Sequence, residues 1–94
     1  GVPMVVQIHD PSCPTCNALK KQVRRALKGF DPAVLDYAIA DIKTEAGQAY
    51  ARTHAVPHVT LLLVDGRGDV RQILRGPQEA EALREAFEAH LSNL

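Results

Sequence analysis

The sequence predicts an α/β fold of element order β-α-β-α-β-β-α, a four-stranded mixed sheet flanked by three helices. Three observations carry this. Runs rich in Val, Ile and Leu alternate with stretches whose apolar residues recur every three or four positions, the pattern of strands alternating with amphipathic helices. The first two strand-like runs are joined by a helical stretch, which requires a parallel, right-handed crossover. The last two are joined by Asp65-Gly66-Arg67-Gly68, a hairpin turn, so they run antiparallel.

Each element has its own signal. Met4 to His9 is β-branched and mostly apolar, and reads as a buried strand. Asp10-Pro11-Ser12 breaks it, and a helix starts at Cys13 or Pro14, since proline in the first helical position gives up no needed hydrogen bond. Cys16, Leu19, Val23, Ala26 and Leu27 form its apolar stripe, Lys20, Lys21, Arg24, Arg25 and Lys28 its solvated face, and Gly29 its stop. Val34 to Asp41 reads as the second strand, with Leu35, Tyr37 and Ile39 on one face. Thr44 caps a short helix reaching Arg52 or Thr53. Val59 to Val64, apolar on both faces, is a central strand, and Asp69 to Arg75 is a strand exposed on one side. Gly76-Pro77 opens the last helix, with Ala80, Leu83, Phe87 and Leu91 as its stripe and Glu79 in its first turn.

Composition narrows the function classes. A chain of 94 residues is expected to form a single domain over 1-94. Lys plus Arg and Asp plus Glu both number 11, a balance unlike the basic excess of nucleic-acid binders, so no nucleic-acid partner is expected. With 46% hydrophobic residues the chain has the material for a core, yet no apolar run approaches the length of a membrane span. Two cysteines cannot build a disulfide-rich scaffold, nor by themselves a four-ligand zinc site. A Cys13–Cys16 bond would close a loop too small to restrain the unfolded chain much, which favours a chemical role over a structural one.

Strand, short loop, then Cys13-Pro14-Thr15-Cys16 opening a helix is the arrangement of redox cysteine pairs. With Val56-Pro57 before the third strand and Gly76 after the fourth, the chain resembles the thioredoxin-like family in its minimal, glutaredoxin-sized form. The resemblance implies a thiol-disulfide oxidoreductase acting through Cys13 and Cys16, most readily on protein disulfides, and without a cofactor. Cys13, at the helix N-terminus, would be the nucleophile, and Cys16, one turn deeper on the apolar stripe, would resolve the mixed disulfide. It further implies a cis Val56–Pro57 bond, a platform of Val56, Pro57 and Gly76 for extended substrate, a monomeric chain, and thioredoxin reductase or glutathione as electron source. The compartment is left open between the cytoplasm and an exported or membrane-tethered setting reached through an N-terminal segment removed from the chain.

Several positions depart from the family pattern. Thioredoxins carry Trp immediately before the first cysteine, where Ser12 stands, and a buried Asp at the position of Gln7. Gln cannot exchange protons at neutral pH. The Thr that commonly follows the family's proline is replaced by His58, and the glutaredoxin glycine pair is reduced to Gly76. His58 and His9, both expected near the active-site end of the sheet, are therefore candidates for proton relay or pKa tuning around Gln7. His54 and His90 lie on helices and read as solvated or packing residues. Two other function classes fit the same residues: a metal or iron–sulfur module in which Cys13 and Cys16, with His9 or His58 or a second chain, hold the metal, and a non-catalytic interaction domain.

Overall fold

A computed structural model describes residues 1–94. The elements follow in the order β1 (Met4–His9), α1 (Pro14–Leu27), β2 (Asp36–Asp41), α2 (Glu45–His54), β3 (Thr60–Val64), β4 (Val70–Arg75) and α3 (Ala80–Ser92). The sheet order is β2-β1-β3-β4. β1 and β2 are parallel, with Gln7 opposite Ile39, and β3 is antiparallel to both β1 and β4. The element order and mixed sheet are those the sequence predicts.

Because side chains alternate across a strand, β1 and β3 divide the core into two layers. Val5, Leu61 and Leu63 pack with Leu19, Val23 and Ala26 of α1 and Leu83 and Phe87 of α3. Val6, Ile8, Leu62 and Val64 face the other way and pack with Val56 and, at the margin, Tyr50 and Ala51 of α2. β1 and β3 are covered on both sides, which explains their nearly continuous apolar sequences.

α2 approaches the sheet closely because Gly47 carries no side chain. A Cβ there would collide with the backbone of Asp41. The helix opens with the Thr44 hydroxyl accepting the Gly47 N–H at 3.0 Å and closes on Ala55 in the left-handed conformation, φ 54. It runs to His54, slightly past the predicted end.

The boundary differences have local causes. Val34 and Leu35 belong to a turn, not to β2, since both their N–H groups donate to the Asp31 carbonyl (2.8 and 3.0 Å). Leu35 and Tyr37 still reach the α1–α3 layer, whereas Ile39, on an edge strand, remains 39% exposed. Val59 has φ 60 and cannot extend β3. Asp69 is held in the hairpin turn, where the Asp65 carboxylate accepts the N–H groups of Arg67 and Asp69. α3 begins at Ala80, not at Gly76-Pro77, and Glu79 is its N-cap residue, not part of its first turn. The Ala80 N–H is met by the Gln22 side chain of α1 at 3.0 Å, which fixes the helix start from outside.

Candidate functional site

The two cysteines lie where β1 hands over to α1. Asp10 shapes the connection: its carboxylate accepts the N–H and hydroxyl of Ser12 at 2.9 and 2.7 Å, and its carbonyl accepts the Cys13 N–H at 3.0 Å. These bonds, the Ser12 hydroxyl foremost, hold the Asp10 carboxyl below its ordinary value. Lys43 stands 4.0 Å from it.

Cys13 is the N-cap of α1, and its Sγ accepts the Cys16 N–H at 3.4 Å. An N-cap normally offers oxygen to the first unpaired helical N–H groups, and here sulfur takes that place. The Cys16 N–H, helped by that of Thr15, lowers the Cys13 pKa below the ordinary thiol value, against the opposing effects of desolvation and, to a lesser degree, of the Asp10 charge. Cys16 is fully buried, and burial pushes its thiol up. The half-exposed cysteine thus has its thiolate favoured, and the buried one its thiol. No bond joins the two sulfurs.

Beneath Cys16 lies a buried polar cluster centred on Gln7, which is 0% exposed. The Gln7 amide nitrogen donates to the Cys16 carbonyl at 3.0 Å and meets His9 Nδ1 at 3.2 Å, while the Tyr37 hydroxyl donates to its Oε1 at 2.5 Å. Both donors and the acceptor are therefore used, which lets an amide sit at full burial. This assigns His9 Nδ1 as acceptor and places its proton on Nε2. Burial, with Lys20 adding to it, lowers the His9 pKa. Burial also pushes the Tyr37 phenol up to about 12. The part of Tyr37 was not visible in the sequence, where it counted only as an apolar strand residue.

His58 comes to the site from the loop before β3. Its ligand nitrogen and the sulfurs of Cys13 and Cys16 all lie within 4.8 Å of one another. The next residue, Val59, is held on both sides: its N–H donates to the Ile8 carbonyl (3.1 Å) and its carbonyl accepts the Gly76 N–H (2.9 Å). His9 is not in this group; its ring is committed to Gln7. His54 packs on Tyr50, with ring centroids 4.4 Å apart, and His90 is buried with Nε2 3.0 Å from the Val64 carbonyl, so neither joins the site.

One expectation is corrected. No peptide bond in the structure is cis, so Val56–Pro57 is trans. The trans form is the intrinsic preference of X–Pro bonds by about 0.5–1 kcal/mol, and the left-handed residues Ala55 and Val59 turn the chain here instead. Val56 is anchored on the α2 side. Its side chain belongs to the α2-side core, and its N–H donates to the Ala51 carbonyl at 3.1 Å. Gly76 has φ 80, a conformation that favours glycine, and the space a Cβ would occupy there is open.

The comparison that decides the architecture is with a solved structure. Over 95% of this chain and 71% of the other, the fold superposes on the solution structure of an uncharacterised thioredoxin-like protein from Clostridium perfringens, with a TM-score of 0.82 and 16% sequence identity. The fold is thioredoxin-like. No family model matches the chain, and no curated protein does. Within this thioredoxin-like fold the close Cys13–Cys16 pair fits redox chemistry. The two main cavities lie elsewhere: an apolar cleft of about 470 Å³ beside α2, including Met4, Ala38 and Tyr50, and a polar one of about 540 Å³ including Asp65, Arg67 and Arg71.

Proposed function

We propose that the protein is a thiol-disulfide oxidoreductase acting on protein disulfides. The observation that carries this is the asymmetry of the cysteine pair: Cys13 caps a helix with its sulfur, receiving the Cys16 N–H at 3.4 Å, while Cys16 is fully buried one turn on. Neither main cavity includes Cys13, which favours a partner that docks on the surface over a small molecule held in a cleft.

In the reductive direction the Cys13 thiolate attacks one sulfur of a substrate disulfide. The new Sγ–S bond forms as the substrate S–S bond breaks, and the leaving thiolate takes up a proton. Cys16 then loses its proton and attacks Cys13 Sγ. This closes the Cys13–Cys16 disulfide and expels the second substrate thiolate, which is protonated in turn. Two electrons pass from the dithiol to the substrate. With Gln7 unable to exchange protons, His58 serves as the acceptor for the Cys16 proton, from the open side of the site. Thioredoxin reductase or glutathione would restore the dithiol.

Insulin reduction tests the reading. Wild type should turn over, Cys13→Ser should not, and Cys16→Ser should accumulate a mixed disulfide with substrate. A wild-type chain that neither turns over nor traps substrate refutes it and leaves a non-catalytic interaction domain. Direction follows from the potential of the pair: near about −270 mV it reduces, near about −120 mV it oxidises.

A further inference from the structure

Three ligand atoms of types that hold thiophilic metals converge on one point. Cys13 Sγ, Cys16 Sγ and a ring nitrogen of His58 all lie within 4.8 Å of one another. In a tetrahedral zinc site, bonds of about 2.3 Å to sulfur and about 2.0 Å to nitrogen set ligand atoms roughly 3.5–3.8 Å apart. Closing the present triangle needs about 1 Å of movement, within reach of side-chain rotation. His58 is exposed and Cys13 half-exposed, so both have room to turn.

The backbone under the ligands is fixed. The sulfurs share the first turn of α1, and the residue after His58 is hydrogen-bonded to β1 on one side and to Gly76 on the other. The helix N-terminus supports negative charge on sulfur. The exposed side, where His58 stands, leaves a fourth position to water. Two thiolates and an imidazole select zinc over calcium or magnesium, which prefer oxygen.

We propose that the reduced Cys13–Cys16 pair, with His58 as third protein ligand, binds one Zn²⁺ per chain, and that the zinc-bound dithiol and the disulfide are mutually exclusive states of the site. Oxidation by glutathione disulfide joins the two sulfurs, passes two electrons to the glutathione pair, which takes up two protons, and releases Zn²⁺. The site is completed within one chain and needs no second copy.

The test is an anaerobic titration of the reduced chain with Zn²⁺ against a chromophoric chelator. The expected result is one ion per chain. Affinity should fall at least roughly tenfold in His58→Ala, be unchanged in His54→Ala, and be lost in Cys13→Ser and Cys16→Ser. Glutathione disulfide should release the ion as the disulfide forms. Thermal unfolding of the metal-free variants shows that each has folded, since His58 is exposed and outside the core. No binding, half an ion per chain, or equal affinity in His58→Ala overturns the proposal. A chain inactive on insulin that binds zinc through His58 refutes the redox reading alone, whereas an active reductase that ignores zinc refutes only this one.

Discussion

Replacing Gln7 by Leu tests whether the buried polar cluster under Cys16 has been understood. The substitution keeps the volume nearly constant and removes two donors and an acceptor at a fully buried position. His9 Nδ1, almost fully enclosed, loses its only hydrogen bond, at about 1–2 kcal/mol. The Tyr37 hydroxyl is partly exposed and can turn toward water, so its loss is about 0.5–1 kcal/mol. The Cys16 carbonyl keeps its helical bond and loses about 0.5 kcal/mol. Leucine recovers part of this through greater apolarity, leaving a net destabilisation of about 2–3 kcal/mol. For a domain of this size that lowers the Tm by roughly 10–20 °C. The assay is thermal unfolding of the reduced protein, run beside Tyr37→Phe and the double variant. Tyr37→Phe leaves Gln7 Oε1 without its donor and should cost about 1 kcal/mol. The double variant should be more stable than the sum of the singles by about 0.5–1 kcal/mol, because the two residues share one bond. A Tm change under about 4 °C in Gln7→Leu, or strict additivity, would refute the account.

Three further outcomes are expected. In Cys16→Ser the alkylation rate of Cys13 should reach half its maximum below the ordinary thiol value of about 8.5, because a lowered pKa populates the thiolate at lower pH, while Cys16 in Cys13→Ser should titrate above it; a reversed order contradicts the assignment of nucleophile and resolving cysteine. Gly47→Ala should destabilise by about 3 kcal/mol or more, since its Cβ meets the Asp41 backbone and α2 must lift from β2; urea unfolding within about 1 kcal/mol of wild type would show that the approach is not close. Ala55→Gly should stabilise by about 0.5–1 kcal/mol, raising the Tm by several degrees, because an exposed residue at φ 54 is relieved of its Cβ, and a lower Tm would disprove this.

The linear sequence determined the order of elements, the parallel and antiparallel pairings and the place of the cysteine pair. Those depend on local periodicity, on Thr44, Pro14 and the Asp65–Gly68 turn, and on connection length, all of which act between near neighbours in the chain. What only the tertiary structure decided were contacts between residues far apart in sequence. Tyr37 reaches Gln7 because β1 and β2 are in parallel register, and no property of either residue announces the pair. Gln7, a departure from the family when read in sequence, is in space a fully bonded centre that fixes the tautomer of His9. Both histidines were candidates along the chain, yet His9 points into the core and the His58 ring lies within 4.8 Å of both sulfurs. The trans Val56–Pro57 bond was decided at the same level, because the turn is made by Ala55 and Val59, and nothing in an X–Pro pair records which neighbours will take up a left-handed conformation.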